Sequence, residues 1–151
     1  MEKGPGTYAL ILESRVEQSL QIGRRGSMAL VPGFYLYVGS AFGPGGIAAR
    51  IAHHRRIAQR PHWHIDYLRL VLPLTECWFS YEARHMEHHW AAVAGGLQGA
   101  SIPLARFGAS DCDCPSHLFH FSERPRYGAF RNRLALSVAG HARLGRSRYD
   151  V

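Results

Sequence analysis

The chain has 151 residues, of which 46% are hydrophobic, so it can bury the core of one domain. Lys and Arg number 18 against 11 Asp and Glu, which gives a formal net charge of +7 at pH 7, and Lys3 is the only lysine. No apolar run is as long as a membrane span, and the first residues lack the apolar segment of a secretory signal, so we expect a cytoplasmic protein with no membrane partner. The excess of arginine predicts a polyanionic partner such as nucleic acid, because guanidinium groups bind phosphates through paired hydrogen bonds.

Alternating apolar residues at the start of the chain predict strands. Residues 6–14 and 16–23 predict an antiparallel hairpin, and residues 28–31 predict a short strand that ends before Pro32. Residues 33–40 carry aromatic side chains at alternating positions, which predicts a strand buried on at least one side. The central sheet is therefore expected to be built on the hairpin and this aromatic strand.

A glycine-rich turn, Gly-Pro-Gly-Gly at 43–46, follows the aromatic strand and leads into a helix that should end near Pro61. Amide groups at the start of a helix attract anions, and we expect Gly45 and Gly46 to let a phosphate approach them. Basic side chains follow within two helical turns, namely Arg50, His53, His54, Arg55 and Arg56. The segment therefore predicts a phosphate-binding site.

The middle of the chain predicts a further strand and a second long helix. Residues 63–72 are ambiguous between a helical turn and a strand, and residues 76–81 predict a second aromatic strand. Apolar residues at helix spacing predict a helix over residues 82–97. Residues 117–121 predict a short strand after a loop rich in Gly, Ser, Asp and Pro.

Together these elements predict an α+β domain over residues 1–121, with a small central, mostly antiparallel sheet flanked by helices. Residues 122–151 are basic and weakly patterned, although Phe130, Leu134 and Val138 can form one apolar helix face. We therefore expect residues 122–151 to form a C-terminal extension that is loosely attached or partly disordered.

Several motifs together resemble a known enzyme superfamily. Gly6-Thr-Tyr8, Tyr37-Val-Gly39, and Arg50 with His54 one helical turn later resemble the GIY-YIG nuclease superfamily. The resemblance extends over residues 6–121 and is strongest to the DUF123 branch. The segments that carry this second resemblance are Tyr-Val-Gly-Ser-Ala at 37–41, Gly-Pro-Gly-Gly at 43–46, Trp-His-Ile-Asp-Tyr-Leu at 63–68 and Phe-Gly-Ala-Ser-Asp-Cys-Asp-Cys-Pro-Ser-His-Leu-Phe at 107–119.

The resemblance implies a GIY-YIG-type, metal-dependent DNA endonuclease, with a role in DNA repair or structure-specific cleavage. Tyr37 is then the first choice for activating the nucleophile and Tyr8 the second, while Arg50 holds the phosphate. His54 lies four residues after Arg50 on the same helix face, where it can donate a proton or bind a neighbouring phosphate. His53, Arg55 and Arg56 are expected to contact DNA or to form a solvated basic face.

The resemblance also implies a single glutamate that binds Mg²⁺ or Mn²⁺ from a later helix. Glu87 is the best match, because it lies inside the predicted helix over residues 82–97. Glu82 is its rival, closer to the start of that helix, and Glu76 in the predicted strand is the third choice.

The downstream motifs suggest an additional site, whose residues are His64, Asp66, Asp111, Ser116 and His117. The alternative is that these side chains shape a turn and form buried hydrogen bonds. Cys112, Cys114 and His117, helped by His62 or His64, can also be read as Zn²⁺ ligands. The Cys-x-Cys spacing argues against zinc, because it is tighter than Cys-x-x-Cys and no second well-spaced pair follows. The three cysteines are expected to be reduced thiols.

Two other functions fit the same residues. A non-catalytic nucleic-acid-binding domain on this fold would keep the basic face without cutting, and a structural protein stabilised by zinc would use the cysteines and histidines. The choice between DNA and RNA, and the oligomeric state, stay open at this level.

Overall fold

A computed structural model describes residues 1–110 and 112–150 of the chain. The described residues form seven strands and four helices. In chain order these elements are β1 (Gly6–Ser14), β2 (Gln18–Ile22), β3 (Gly26–Leu30), β4 (Gly33–Ala41), α1 (Gly46–Arg55), α2 (His64–Arg69), β5 (Leu74–Ser80), α3 (Glu87–Gly95), β6 (Leu118–Phe121), α4 (Tyr127–Ser137) and β7 (Leu144–Arg148). None of the described helices has both the length and the apolar character needed to cross a membrane.

The larger sheet has five antiparallel strands in the order β6-β4-β1-β5-β7. β1 lies at its centre, pairing with β4 on one side and β5 on the other. Nearly every residue of β1 is buried, as expected for a strand whose two faces are both covered. The predicted α+β architecture, with a central antiparallel sheet flanked by helices, is confirmed.

Helices cover both faces of this sheet. On one face, Tyr8, Leu10 and Leu12 of β1 pack with buried residues of α1, α2 and the β2–β3 hairpin. On the other face, Ala9 and Ile11 pack with buried residues of α3 and α4. Because side chains alternate along a strand, β1 contributes to two separate cores, and a change of register would exchange them.

The predicted hairpin between residues 6–14 and 16–23 is wrong. β2 pairs with β3 in a separate two-stranded sheet, whereas β1 pairs with β4 and β5. The physical reason is burial, because β1 is apolar on both faces and occupies the centre of the sheet, while β2 is mostly exposed. Nearness in the chain made β1 and β2 plausible partners but did not decide the pairing.

The second long helix begins later than predicted, at Glu87 rather than at residue 82. Residues 82–86 form a loop in which the Glu82 carboxylate accepts hydrogen bonds from the amide and side chain of Arg84 and from the amide of Ala142. Hydrogen bonds from Arg84 and then Ala142 lower the pKa of Glu82 to about 2. The ambiguous segment 63–72 contains α2, and β5 begins at Leu74.

Residues 122–150 are packed into the same fold, in contrast to the loosely attached extension expected from their composition. Phe130 and Leu134 of α4 are fully buried in the core of α3 and α4. β7 adds to the edge of β5, and the carboxylate of Glu76 lies 3.1 Å from Arg124 and 2.6 Å from Arg146. The basic composition did not predict this packing, because it does not show that some of the arginines pair with a buried carboxylate.

Arg69 on α2 holds the end of α1 in place. Its guanidinium group donates hydrogen bonds to the backbone carbonyl oxygens of His54 at 2.7 Å, Arg55 at 3.3 Å and Leu72 at 2.6 Å. The last carbonyl groups of a helix have no partner within it, so such donors stabilise the helix end. Because Arg69 is only 9% exposed, these bonds are largely shielded from water.

Replacing Arg69 with Met should destabilise the protein by about 2–4 kcal/mol, because buried carbonyl groups lose a charged donor. Urea unfolding of wild type and Arg69→Met measures this loss. Arg56→Met, an exposed change at the end of the same helix, is the control and should stay within about 0.5 kcal/mol of wild type. Equal stability of the two variants would show that Arg69 does not hold α1.

Candidate active site

Two tyrosines lie next to each other on the face of the sheet that α1 covers. Tyr8 on β1 pairs with Gly39 on β4, so Tyr37 is its diagonal neighbour on the same face. The ring centroids of Tyr8 and Tyr37 are 6.5 Å apart. A Cβ atom at position 39 would lie 2.5 Å from the hydroxyl oxygen of Tyr8, so the ring can occupy this place only over a glycine.

The start of α1 is covered by the N-terminal residues of the chain. The amide of Ile47 donates to the carbonyl oxygen of Gly4, and the amide of Ala48 donates to that of Glu2. A Cβ atom on Gly46 would lie 2.2 Å from the carbonyl oxygen of Gly4, so this glycine permits a close approach of two backbone segments. The amides of Ile47 and Ala48 are therefore bonded within the chain, whereas the sequence suggested that this helix start would receive a phosphate.

The indole ring of Trp63 supports the side chain of Arg50, whose guanidinium carbon lies 4.4 Å from the ring centroid. Trp63 is held by Asp66, whose carboxylate accepts hydrogen bonds from the amides of His62 at 2.8 Å and Trp63 at 3.0 Å. The same carboxylate lies 2.9 Å from Nε2 of His53. Burial opposes ionisation of Asp66, but these partners hold its pKa below the ordinary value. Asp66 therefore positions the residues around Arg50.

Arg50 and His54 both act on Tyr8. The hydroxyl oxygen of Tyr8 lies 2.6 Å from Nε2 of His54. The positive charge of Arg50 favours the ionised form of Tyr8 and so opposes the effect of burial on its pKa. The described residues provide no hydrogen-bond partner for Nδ1 of His54, so the nitrogen that carries the proton decides whether Tyr8 or His54 donates in the bond between them.

Burial keeps the members of this group uncharged, apart from Arg50. Burial, and after it the charge of His53, lowers the pKa of His54 to about 3. Burial also raises the pKa of Tyr8 well above its ordinary value, and the charge of Arg50 offsets only part of that effect. The pKa of Tyr37 is raised for the same principal reason. At neutral pH the site therefore holds two neutral phenols, a neutral imidazole and one guanidinium.

Glu87 is the carboxylate that acts on both tyrosines. It is the first residue of α3, its side chain is 25% exposed, and in addition to burial its charge raises the pKa of Tyr8 and Tyr37. Nδ1 of His117 lies 3.3 Å from Oε1 of Glu87. The amide of Val38, next to Tyr37, donates to the carbonyl oxygen of His117 and ties this histidine to β4.

The two rival glutamates are engaged elsewhere. Glu76 is 1% exposed and is paired with Arg124 and Arg146 across the sheet edge. Glu82 is bonded within its own loop and to the chain segment before β7. Of the three predicted carboxylates, Glu87 is the one whose charge acts on the tyrosine pair.

The residues of the suggested additional site occupy separate positions. Nδ1 of His64 accepts a hydrogen bond of 2.9 Å from the amide of Gly108. The hydroxyl of Ser116 is bonded to the backbone of Leu118 and so shapes the turn before β6. Asp111 lies outside the residues that the structure describes. His64 and Ser116 therefore serve the loop, whereas His117 contacts the site through Glu87.

The remaining basic residues lie around α1. Arg55 stacks on the ring of Tyr149 at 4.4 Å, and Arg56 is exposed. Gly45 is the N-cap residue of α1 and has a left-handed backbone with φ of 82°. His53, bonded to Asp66, is a neighbour of the active group and not part of a free basic face.

Sequence reasoning missed two residues that the fold brings to this region. Trp63 was part of a quoted motif, but only the tertiary structure places Arg50 over its ring. His88 was given no role, yet it lies beside Cys112, Cys114 and His117, where His62 or His64 had been expected. No periodicity or spacing relates an early residue of α3 to a loop that follows much later, so the sequence carried no signal for His88.

The sequence model of the DUF123 family, described as a domain of unknown function, matches residues 7–137. The matched range runs from β1 into α4 and contains Tyr8, Tyr37, Arg50, His54 and Glu87. Comparison with curated proteins and with solved structures finds no match.

Replacing Gly39 with Ala should displace the Tyr8 ring, because the new Cβ atom would lie 2.5 Å from two of its atoms. We expect a loss of about 1–3 kcal/mol in the free energy of unfolding, measured with urea. Gly128→Ala on α4 is the control, since a Cβ atom there meets nothing within 4 Å, and it should not destabilise the protein. A fully stable Gly39→Ala protein would contradict the proposed close approach.

The buried His54 predicts that stability falls with decreasing pH. Burial lowers its pKa from 6.5 to about 3 in the folded protein. The groups that face it are Tyr8, His53, Arg50, Asp66 and Arg69. The unfolded chain therefore binds the proton first, and between these two values folding loses about 1.4 kcal/mol per pH unit. In His54→Gln this contribution is absent.

Urea unfolding of wild type and His54→Gln at about pH 7 and about pH 5 tests this linkage. Gln can still accept the Tyr8 hydrogen bond, but it does not titrate. The wild type should therefore lose about 2 kcal/mol more than the variant over this interval. A difference between the two proteins that does not change with pH would mean that His54 titrates normally.

Proposed function

The chain belongs to the DUF123 family, and we propose that it is a metal-dependent DNA endonuclease with a GIY-YIG-type active site. The observation that carries this proposal is the convergence of Arg50 and His54 on Tyr8, with Tyr37 and Glu87 acting on the same group. An arginine, two phenols, an imidazole and a carboxylate can supply the charge stabilisation and proton transfer that phosphodiester hydrolysis needs.

Arg50 binds the scissile phosphate in this proposal. Its guanidinium group carries a permanent charge that acts on Tyr8, and the ring of Trp63 supports it. A positioned cation stabilises the negative charge that develops on the phosphate oxygens as water attacks phosphorus. Because Asp66 and Trp63 restrict this side chain before substrate binds, little reorganisation is needed during the reaction.

Tyr8 and His54 provide the path for the proton that the attacking water loses. The water proton moves to the Tyr8 oxygen, while the hydroxyl proton of Tyr8 moves to Nε2 of His54. A buried imidazolium beside Arg50 is costly, but a bound phosphate lowers that cost because a nearby negative charge stabilises it. The hydrogen bond to His54 therefore makes Tyr8 the proton-transfer group and leaves Tyr37 to orient the water, the reverse of the order suggested by the motifs.

Glu87 is the residue that fits Mg²⁺ or Mn²⁺. Carboxylate oxygens are preferred ligands of both cations, and the Glu87 side chain is partly exposed at the start of α3. One protein carboxylate leaves the other coordination positions to water and to phosphate oxygens. When bound, the cation supplies Lewis-acid neutralisation of the phosphate charge.

The charge of the chain supports DNA as the partner. A net charge of +7 favours binding to a polyanion, and Arg55 and Arg56 extend the basic character of α1 beyond Arg50. The site chemistry acts on the phosphodiester group itself and not on a base. Cleavage specificity would therefore come from the structure of the nucleic acid, which fits a role in repair or in cutting branched DNA.

Incubation with nicked, branched and single-stranded DNA in the presence of Mg²⁺ or Mn²⁺ tests this proposal. Arg50→Ala and Glu87→Gln should each reduce the cleavage rate by about 100-fold or more, because each removes a group that acts in the transition state. Arg15→Ala and Glu123→Gln are the matched controls, as both residues are exposed and lie outside the proposed site. Urea unfolding of each variant shows whether a loss of cleavage comes from the removed side chain or from unfolding of the protein.

Unchanged cleavage by Arg50→Ala and Glu87→Gln would refute the proposed site. Binding of DNA with a steep salt dependence but without products, in either metal, would instead support the non-catalytic binding domain.

A further inference from the structure

Four side chains of metal-binding type meet at one place outside the group formed by Arg50, Tyr8 and His54. His88, Cys112, Cys114 and His117, which we call the Cys–His cluster, each offer one ligand atom, and these atoms all lie within 4.8 Å of one another. They come from two separate segments, because His88 lies on α3 and the other three residues lie in the loop before β6. Local geometry in the loop does not account for the approach of His88.

Two of the distances within the Cys–His cluster are close to those of a tetrahedral site. Nδ1 of His88 lies 3.1 Å from Sγ of Cys114, and Sγ of Cys112 lies 3.4 Å from Nε2 of His117. Zinc bonds of about 2.3 Å to sulfur and about 2.0–2.1 Å to nitrogen place neighbouring ligand atoms about 3.4–3.8 Å apart in a tetrahedron. Small adjustments of these side chains would therefore admit the ion.

We propose that His88, Cys112, Cys114 and His117 bind one Zn²⁺ as a structural site. Two thiolates and two neutral imidazoles form a common zinc ligand set, and together they neutralise the charge of the ion. Binding releases the two thiol protons of Cys112 and Cys114 to solvent. Sulfur and imidazole ligands also separate this site from the oxygen ligands that Mg²⁺ or Mn²⁺ prefers.

The fold removes the objection that the sequence raised. The Cys-x-Cys spacing lacked a second pair of ligands, and the nearby candidates His62 and His64 were considered instead. His64 is bonded to the amide of Gly108, whereas His88 comes from α3 to complete the set. A fourth ligand from another element relaxes the requirement for Cys-x-x-Cys spacing, because the chain between ligands need not turn around the metal.

The position of the Cys–His cluster also explains what the ion would stabilise. Residues 96–117 connect α3 to β6, and the described part of this connection contains no helix or named strand. Connections of this length without secondary structure are uncommon in compact domains unless they are functional. A zinc ion would join the start of α3 to the end of this loop.

His117 links the Cys–His cluster to the active site. Its Nε2 faces Cys112, while its Nδ1 lies 3.3 Å from Oε1 of Glu87. A carboxylate bonded to the second nitrogen of a metal-bound histidine is a recurrent outer-shell arrangement, because it fixes the orientation of the ring. Zinc would in the same way fix Glu87, and this second consequence rests on the proposed function.

Metal analysis of the full chain tests the zinc site without reference to cleavage. The protein, purified without chelators and then reconstituted with Zn²⁺ and desalted, should hold about one zinc per chain. Cys112→Ser and Cys114→Ser should hold about tenfold less, whereas Cys77→Ser should hold as much as wild type. Cys77 is the matched control, because it is a cysteine outside the Cys–His cluster that is buried in the core of Tyr8 and bonds Tyr149.

Two further measurements protect the test against misfolded variants. Reconstitution of wild type with Co²⁺ should give the intense visible absorption of tetrahedral thiolate coordination, and added Zn²⁺ should abolish it. Glu87→Gln keeps all four ligands, so its zinc affinity should fall by about 10-fold without loss of the site.

The proposal is overturned if wild type holds no zinc after reconstitution, or if Cys112→Ser and Cys114→Ser hold as much as Cys77→Ser. Its failure is distinguishable from failure of the proposed function. Zinc binding without cleavage of any DNA would leave the metal site standing and remove the nuclease. Cleavage by a chain that holds no zinc would do the opposite.

Discussion

The pairing of β1 with β4 is the constraint on which the rest of the site depends. This register sets Tyr8 against Gly39 and so leaves room for one phenol ring beside the ring of Tyr37. Both faces of β1 are buried, so a slip by one residue would exchange the two cores and remove the tyrosine from its place. Stability and site geometry are therefore determined by the same strand pair.

Around this strand pair, several buried polar groups are held by hydrogen-bond partners. The Tyr8 hydroxyl is bonded to His54, and the end of the helix that carries His54 is bonded to Arg69. Asp66, 2% exposed, bonds two backbone amides and His53. Each of these bonds offsets the cost of removing a polar group from water, and each also fixes a side chain near Arg50. Such a preorganised arrangement suits a site that must stabilise developing charge.

Glu87 joins two kinds of chemistry at the start of α3. Its charge acts on the tyrosine pair, and its carboxylate is next to His117. The neighbouring residue His88 instead contacts Cys114 in the loop before β6. One helix start thus supplies both the carboxylate proposed for catalysis and a ligand proposed for zinc, which couples the order of the loop to the position of Glu87.

The sequence alone determined the architecture class and most of the residues of the candidate site, because buried strands, glycine turns and ordered motifs leave local patterns. It predicted the strand of Tyr37, the helix of Arg50 and His54, and the preference for Glu87. It misassigned the partner of β1 and the packing of residues 122–150, because pairing and burial depend on residues far apart in the chain. Only the tertiary structure decided that Trp63 supports Arg50, that Tyr8 is hydrogen-bonded to His54 and that His88 lies beside two cysteines. Those contacts join segments with no fixed spacing, so their geometry exists only once the sheet and its helices have packed.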